Sequence, residues 1–83
     1  MDVFETSAKI LSLATTGASY QRIMIDHGHL RRDEMSWLLN MLVDNGLLEL
    51  DASSTYWTTT DGVKFLEIQF NMERILQAQR SLV

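Results

Sequence analysis

Apolar positions along the chain follow two different rhythms, and the changes between them predict its elements. In the stretch LRRDEMSWLLNMLVDNGLL, Met35, Leu38, Leu39 and Leu42 recur at i, i+3, i+4 and i+7, a spacing that puts four side chains on one helical face. A helix is predicted over residues 31–45. Gly46 follows the last periodic residue, where a left-handed residue closes the final carbonyls, and Asn45 tolerates the same geometry. Upstream, DVFETSAKILSLATT carries Phe4, Ala8, Leu11 and Thr15 on one stripe, widened by Ile10 and Leu13. It predicts a first helix over 2–16, with Asp2 and Glu5 in the opening turn where carboxylates complement the helix dipole. Gly17 closes that helix and Ala18 begins a short extended stretch. Ser19 then caps a second helix over 19–27, with Ile23 and Met24 inward and Gly28 at its end.

Beyond Gly46 the period becomes two. Residues 47–50 read as a strand, Asp51, Ala52, Ser53 and Ser54 as a turn of small polar residues, and 55–59 as the returning strand, so 47–59 forms a hairpin. Thr60 and Asp61 are expected to cap a last helix over 61–80, about 30 Å long at 1.5 Å per residue. The predicted order is helix, helix, helix, strand, strand, helix: a mainly α fold with a small β-hairpin, of α+β class, in one domain over 1–83. Two helices joined by Gly28, His29 and Leu30, followed by a tight glycine stop into a hairpin, form the pattern of a winged helix-turn-helix. Residues 31–45 would be its recognition helix and the hairpin its wing.

The last helix carries two apolar stripes. Val63, Leu66 and Phe70 lie along its first half, whereas Phe65, Ile68, Met72, Ile75, Gln79 and Leu82 are spaced 3, 4, 3, 4, 3 as a heptad seam with one polar interruption. The first stripe is expected to hold the helix to its own domain. The second is expected to meet a second copy of the chain in a homodimer. The alternative is a compact monomer that uses both stripes itself.

Composition narrows the function. At 83 residues the chain supports a limited core, so help from a partner subunit is reasonable and an enzyme with a buried cleft is not expected. It has no cysteine, hence neither a disulfide framework nor a thiolate zinc site, and the expected compartment is the cytoplasm. No apolar run approaches the roughly 18 residues of a membrane span, and MDVFETSAK has acids where a signal peptide has a basic start. A soluble protein with no membrane partner is expected. The net charge of -4, from 7 basic and 11 acidic residues, opposes a DNA partner. Its distribution is mixed: Arg22, Arg31 and Arg32 fall in the helix-turn-helix region, with Asp26, Asp33 and Glu34 among them.

The segments SYQRIMIDHGHL, LLNMLVDNGLLEL and YWTTTDGVKFLE, taken in this order, resemble archaeal winged-helix domains of the Sso10a type. The resemblance spans nearly the whole chain. It is carried most specifically by Arg22, Ile23 and Met24, by Gly46, Leu47 and Leu48, and by Thr60 with Gly62, Phe65 and Leu66. It implies a DNA-binding protein that dimerises through a long C-terminal helix as an antiparallel coiled coil. The chain departs from the family in two places. Arg31 stands where the family has a capping serine, after a turn one residue longer, and the wing tip DASS has no basic residue.

The face of the recognition helix opposite its apolar stripe carries Asp33, Ser36, Trp37, Asn40 and Asp44. Asparagine can pair with adenine and serine with a base or a phosphate. Trp37 can stack on or wedge against DNA, yet aromatic residues are also enriched at the centre of protein interfaces. Arg31 and Arg32 are the best phosphate contacts, helped by free N–H groups at the helix start. Equally, both can pair with Asp33, Glu34 or Asp26 at the surface. Tyr20, Arg22, Ser53 and Ser54 are expected near the DNA backbone. His27 and His29 flank Gly28, but two histidines in a turn with only Asp26 as a third ligand make a weak metal site, and none is expected. No catalytic spacing or glycine-rich loop occurs, so neither enzyme chemistry nor a cofactor is expected. The candidate function is a small dimeric DNA-binding regulator or chromatin-associated protein. The alternative is a protein-interaction module of the same fold, with Trp37 and Met41 as anchors.

Overall fold

A carboxylate starts the first helix. In the computed structural model, which describes residues 2–81, Asp2 Oδ1 accepts from the Glu5 amide at 3.0 Å and α1 runs Val3–Leu13. The α-helix therefore ends before residue 16, and Ala14–Thr16 forms a 3-10 turn. Thr15 and Thr16 are β-branched, and the Thr15 hydroxyl donates to the Ser12 carbonyl at 2.8 Å, which favours the tighter turn. Gly17, at φ +84°, redirects the chain into β1, Ala18–Ser19. Ser19 then caps α2, Tyr20–Asp26, by accepting the Arg22 amide at 3.2 Å.

The second helix ends on a buried histidine. His27 Nδ1 donates to the Ile23 carbonyl at 3.0 Å, and the Leu30 amide donates to the His27 carbonyl at 2.9 Å. After that turn, α3 runs Arg32–Asp44, with Arg31 at its cap position. Arg31 cannot accept an amide; instead its own N–H donates to Glu34 Oε1 at 3.1 Å. The exit follows the predicted glycine geometry. Leu47 donates to the Leu42 carbonyl at 2.9 Å and Gly46, at φ +74°, donates to Val43 at 3.0 Å, the two bonds of a Schellman stop.

The hairpin comprises β2, Leu48–Leu50, and β3, Thr55–Thr58, which leads into α4, Thr60–Ser81. A two-strand hairpin understates what forms. The sheet has three antiparallel strands in the order β1-β3-β2, with Ala18 opposite Tyr56 and Leu48 opposite Thr58. The extended stretch before α2 thus closes one edge of the hairpin, and the Thr58 hydroxyl donates to the Leu11 carbonyl of α1. The protein is mainly helical, of α+β class, with four α-helices and this sheet among the described residues. None of its described helices is long and apolar enough to cross a membrane.

The core gathers Ile10, Leu11 and Ala14 from the α1 region, Ile23 of α2, Leu30, Leu48, and the four α3 residues of the predicted stripe. On α1 the buried stripe differs from the predicted one. Ser7, Ile10, Leu11 and Ala14 face inward at i, i+3, i+4 and i+7, the face that buries both Ile10 and Leu11, while Phe4 and Thr15 are exposed.

On α4 the inward face is Gly62, Phe65, Leu66 and Gln69. Leu66 does hold the helix to its domain, but Val63 and Phe70 are exposed. Phe65, placed by its spacing in the seam, is half-buried against the core, its ring 5.1 Å from that of Phe4. The cap of α4 is also one residue earlier than expected. Thr59 Oγ1 accepts from the Gly62 amide at 3.1 Å and donates to the Gly46 carbonyl at 2.6 Å, tying the start of α4 to the exit of α3.

Candidate nucleic-acid interface

The turn between α2 and α3 presents the outer face of α3 because its inner face is committed. Met35, Leu38, Leu39 and Leu42 are buried, so the helical repeat leaves Asp33, Ser36, Trp37, Asn40 and Asp44 in solvent. Trp37 is 54% exposed, a large apolar surface for a residue with no aromatic neighbour among the described pairs. Ser36 and Asn40 lie on the same exposed side, with side-chain donors and acceptors suited to base edges.

The three arginines do not share one environment. Arg31 Nε lies 3.5 Å from Asp33 and 3.4 Å from Glu34, and Arg22 Nε lies 3.8 Å from Asp26. Arg32 has no carboxylate partner among the described residues. It lines a shallow groove with Tyr20, Gln21, Met24 and Ile25, which brings the predicted Tyr20 and Arg32 together between α2 and α3. The ion pairs are exposed and salt-screened, worth about 0–1 kcal/mol each, so a phosphate can displace them. The carboxylates nevertheless remain beside the guanidinium groups and lower the local positive potential.

Ser53 and Ser54 are exposed at the hairpin turn, where Ser54 adopts φ +61°. Asp51 organises this turn. Its Oδ1 accepts the Ser53 amide at 2.8 Å and the Thr55 amide at 3.0 Å, while Oδ2 accepts the Trp57 indole N–H at 2.9 Å. The Thr55 amide bond, then the Trp57 indole bond, hold the Asp51 carboxyl below its usual value of 3.8; desolvation opposes them, and the Ser53 amide bond adds a lesser lowering. The Trp57 ring lies over Gly17, so one acidic side chain links the hairpin tip to the turn after α1. A lowered folded pKa means that the bonding is intact above 3.8 and is lost as pH falls through the folded value. Asp51→Asn is therefore expected to lower the urea midpoint at pH 7, with a gap to wild type that narrows below pH 3.8. A gap that widens on acidification refutes this role.

The sequence places Asp51 in the turn but points to no role for it or for Trp57. The local signal was there, since an aspartate two residues before Ser53 is the pattern of an Asx turn, but its bond to an indole six residues on was not legible.

The chain matches no known family model, no curated protein and no solved structure.

On α4, Ile68, Met72, Ile75 and Leu76 are exposed, as is Gln79. Leu76 was not in the predicted seam, and the predicted Leu82 lies outside the described residues. The two histidines divide in environment. His27 is buried and hydrogen-bonded, His29 is exposed, and their ring centroids are 6.2 Å apart. Among the described residues no group of three or more His, Cys, Asp or Glu side chains is placed to hold a metal ion.

Proposed function

We propose that this chain is a winged helix-turn-helix protein, similar to the Sso10a type, which binds double-stranded DNA as a homodimer and acts as a small transcription regulator or chromatin-associated protein. The observation that carries the reading is the outer face of α3: Ser36, Trp37 and Asn40 are exposed there, directly after two arginines at the helix start. In this arrangement α3 enters the major groove with Ser36 and Asn40 toward base edges, and Trp37 packs against thymine methyl groups or a sugar edge. Arg32, without an ion-pair partner among the described residues, meets a phosphate. Arg31 joins it by exchanging Asp33 and Glu34 for the backbone, and Tyr20, Arg22, Ser53 and Ser54 flank the duplex. The exposed α4 residues Ile68, Met72 and Ile75 supply the contact between copies.

The test is a titration of binding to duplex DNA by fluorescence anisotropy at salt between about 50 and 200 mM. Wild type is expected to lose affinity steeply as salt rises. Arg31→Ala/Arg32→Ala should weaken binding by about 10- to 100-fold and reduce the salt slope by about 1 to 2. Absence of salt-dependent binding at low ionic strength removes the DNA reading.

One set of observations favours a second reading. Arg22 and Arg31 are already paired with carboxylates, the chain is net acidic, and the hairpin tip has no basic residue. These suit a protein-interaction module in which Trp37, with the half-buried Met41 one turn on, anchors a protein partner.

A further inference from the structure

Of Asn40, Asn45 and Asn71, only Asn45 precedes a glycine. An asparagine in that position is chemically labile, because a glycine nitrogen has no neighbouring side chain to keep it away from the carboxamide carbon. Both Asn45 and Gly46 are exposed, so water and base reach them. The fold nevertheless keeps the two reacting atoms apart. At ψ 5° the Gly46 nitrogen nearly eclipses the Asn45 nitrogen, and it must swing about 120° around the Cα–C bond to approach Asn45 Cγ. Hydrogen bonds oppose that swing from three directions. The Gly46 N–H donates to the Val43 carbonyl at 3.0 Å, Asn45 Nδ2 donates to the Met41 carbonyl at 2.8 Å, and the Gly46 carbonyl accepts from Thr59 Oγ1 at 2.6 Å. Gly46 is thus tied through its N–H and its C=O, the latter by the residue that caps α4.

We infer that Asn45 is a modification site, deamidating spontaneously to aspartate and isoaspartate when the joint between α3 and α4 opens. The Gly46 nitrogen gives up its proton and attacks Asn45 Cγ. A C–N bond forms, and the side-chain nitrogen leaves as ammonia with that proton. Water then opens the succinimide, leaving aspartate if it adds at Cγ and isoaspartate if it adds at the backbone carbonyl. Either product loses the Nδ2 bond to Met41 and sets a carboxylate at the C-terminal end of α3, where the helix dipole is already negative. Isoaspartate also inserts a methylene into the main chain before Gly46, which displaces the two bonds of the Schellman stop. A joint that has opened and reacted therefore does not close as before. Asp61-Gly62, on the other side of Thr59, is shielded by comparison. A carboxylate is a poorer electrophile than a carboxamide, and Gly62 is buried with its N–H on Thr59 Oγ1 at 3.1 Å. None of this depends on the DNA reading.

The test ages the whole chain in mildly alkaline buffer, folded and in urea. Peptide mass spectrometry follows each asparagine, and labelling with an isoaspartyl methyltransferase identifies isoaspartate. In urea, Asn45 should react ahead of Asn40 and Asn71. In the folded protein it is expected to react at least about tenfold more slowly, since only the opened fraction contributes. Thr59→Val keeps the side-chain shape and loses both hydroxyl bonds. It should quicken the folded reaction by about three- to tenfold and leave the rate in urea unchanged. Hydrogen exchange at the Gly46 amide of wild type gives a second reading that needs no variant: its protection should match the slowing of deamidation to within about tenfold. The inference is overturned if Asn45 reacts as fast in the folded protein as in urea, or if it does not lead the other asparagines in urea. It is also overturned if Thr59→Val, folded by circular dichroism, reacts at the wild-type rate, or if the Gly46 amide exchanges without protection.

Discussion

Gly62→Ala is expected to destabilise the protein by about 3 kcal/mol, although helix propensity alone predicts the opposite sign. Alanine is favoured over glycine in a helix by about 1 kcal/mol, and Gly62 lies in the first turn of α4. Tertiary packing reverses this. A Cβ at Gly62 would sit 2.3 Å from the Leu47 carbonyl oxygen and 2.6 Å from Thr58 Cγ2. The first neighbour is backbone and cannot rotate aside, and it already accepts the Thr59 amide at 3.1 Å. Relief therefore requires α4 to move off the α3 exit, which breaks the Thr59 bonds to Gly46 and Leu47 together. Overpacking of this kind costs about 1–3 kcal/mol and occasionally more, and a site walled by backbone falls at the upper end. A thermal midpoint lower by 10 °C or more, roughly, should accompany it in a chain of this size. Gly46→Ala isolates the other use of glycine. Nothing lies within 4 Å of its Cβ, so only the left-handed conformation opposes it, at about 1–2 kcal/mol. If Gly62→Ala proves no worse than Gly46→Ala in urea unfolding, the close approach is not limiting.

Ile68→Glu/Ile75→Glu is expected to convert the proposed homodimer to monomer, raising its dissociation constant by at least about a thousandfold, or about 4 kcal/mol. Ile68 and Ile75 are 60% and 58% exposed and stand seven residues apart on α4, with Met72 between them on the same face. In a symmetric dimer each substitution acts twice. Four buried isoleucines at about 1.5–3 kcal/mol each would be replaced by carboxylates that must be desolvated or repel one another. Within one chain the same side chains are exposed, so the monomer should keep its helical circular dichroism. Sedimentation velocity over a range of concentrations reads the result. A wild-type protein that sediments as a monomer throughout would end the dimer proposal. Phe65 does not belong in this test: it is half-buried beside Phe4, and a charge there would disrupt the domain itself.

The difference between Phe65 and Ile68 shows where periodicity stops being informative. Both sit on the heptad spacing, and both satisfy a two-stripe reading of α4. Which residues meet their own domain depends on the angle at which α4 leaves the hairpin, and that angle is set by Thr59 and by the contact of Gly62 with Leu47. The α1 stripe went astray for a related reason. Hydrophobicity favours Phe4 as a core residue, but the face that buries Ile10 and Leu11 carries Ser7 and Ala14 and leaves Phe4 half exposed beside Phe65.

The candidate site was legible to the extent that it depends on α3 alone. Four apolar residues at helical spacing determine the buried side, so the exposure of Ser36, Trp37 and Asn40 follows from the repeat. Ion pairing was only partly legible. The sequence puts Arg31 within reach of Asp33 and Glu34, but which of Arg22, Arg31 and Arg32 has no carboxylate partner among the described residues was decided by side-chain geometry, and it is Arg32.

By itself the sequence determined the four α-helices, the glycine stop after α3, the hairpin and the exposed face of α3. These rest on interactions between residues a few positions apart, or on periodicity along one element. Tertiary structure alone decided the pairing of β1 with β3, the inward faces of α1 and α4, and the seat of the Trp57 ring over Gly17. Each of these depends on how elements distant in the chain approach one another, and on whether a particular side chain is small enough, or placed well enough, to permit it.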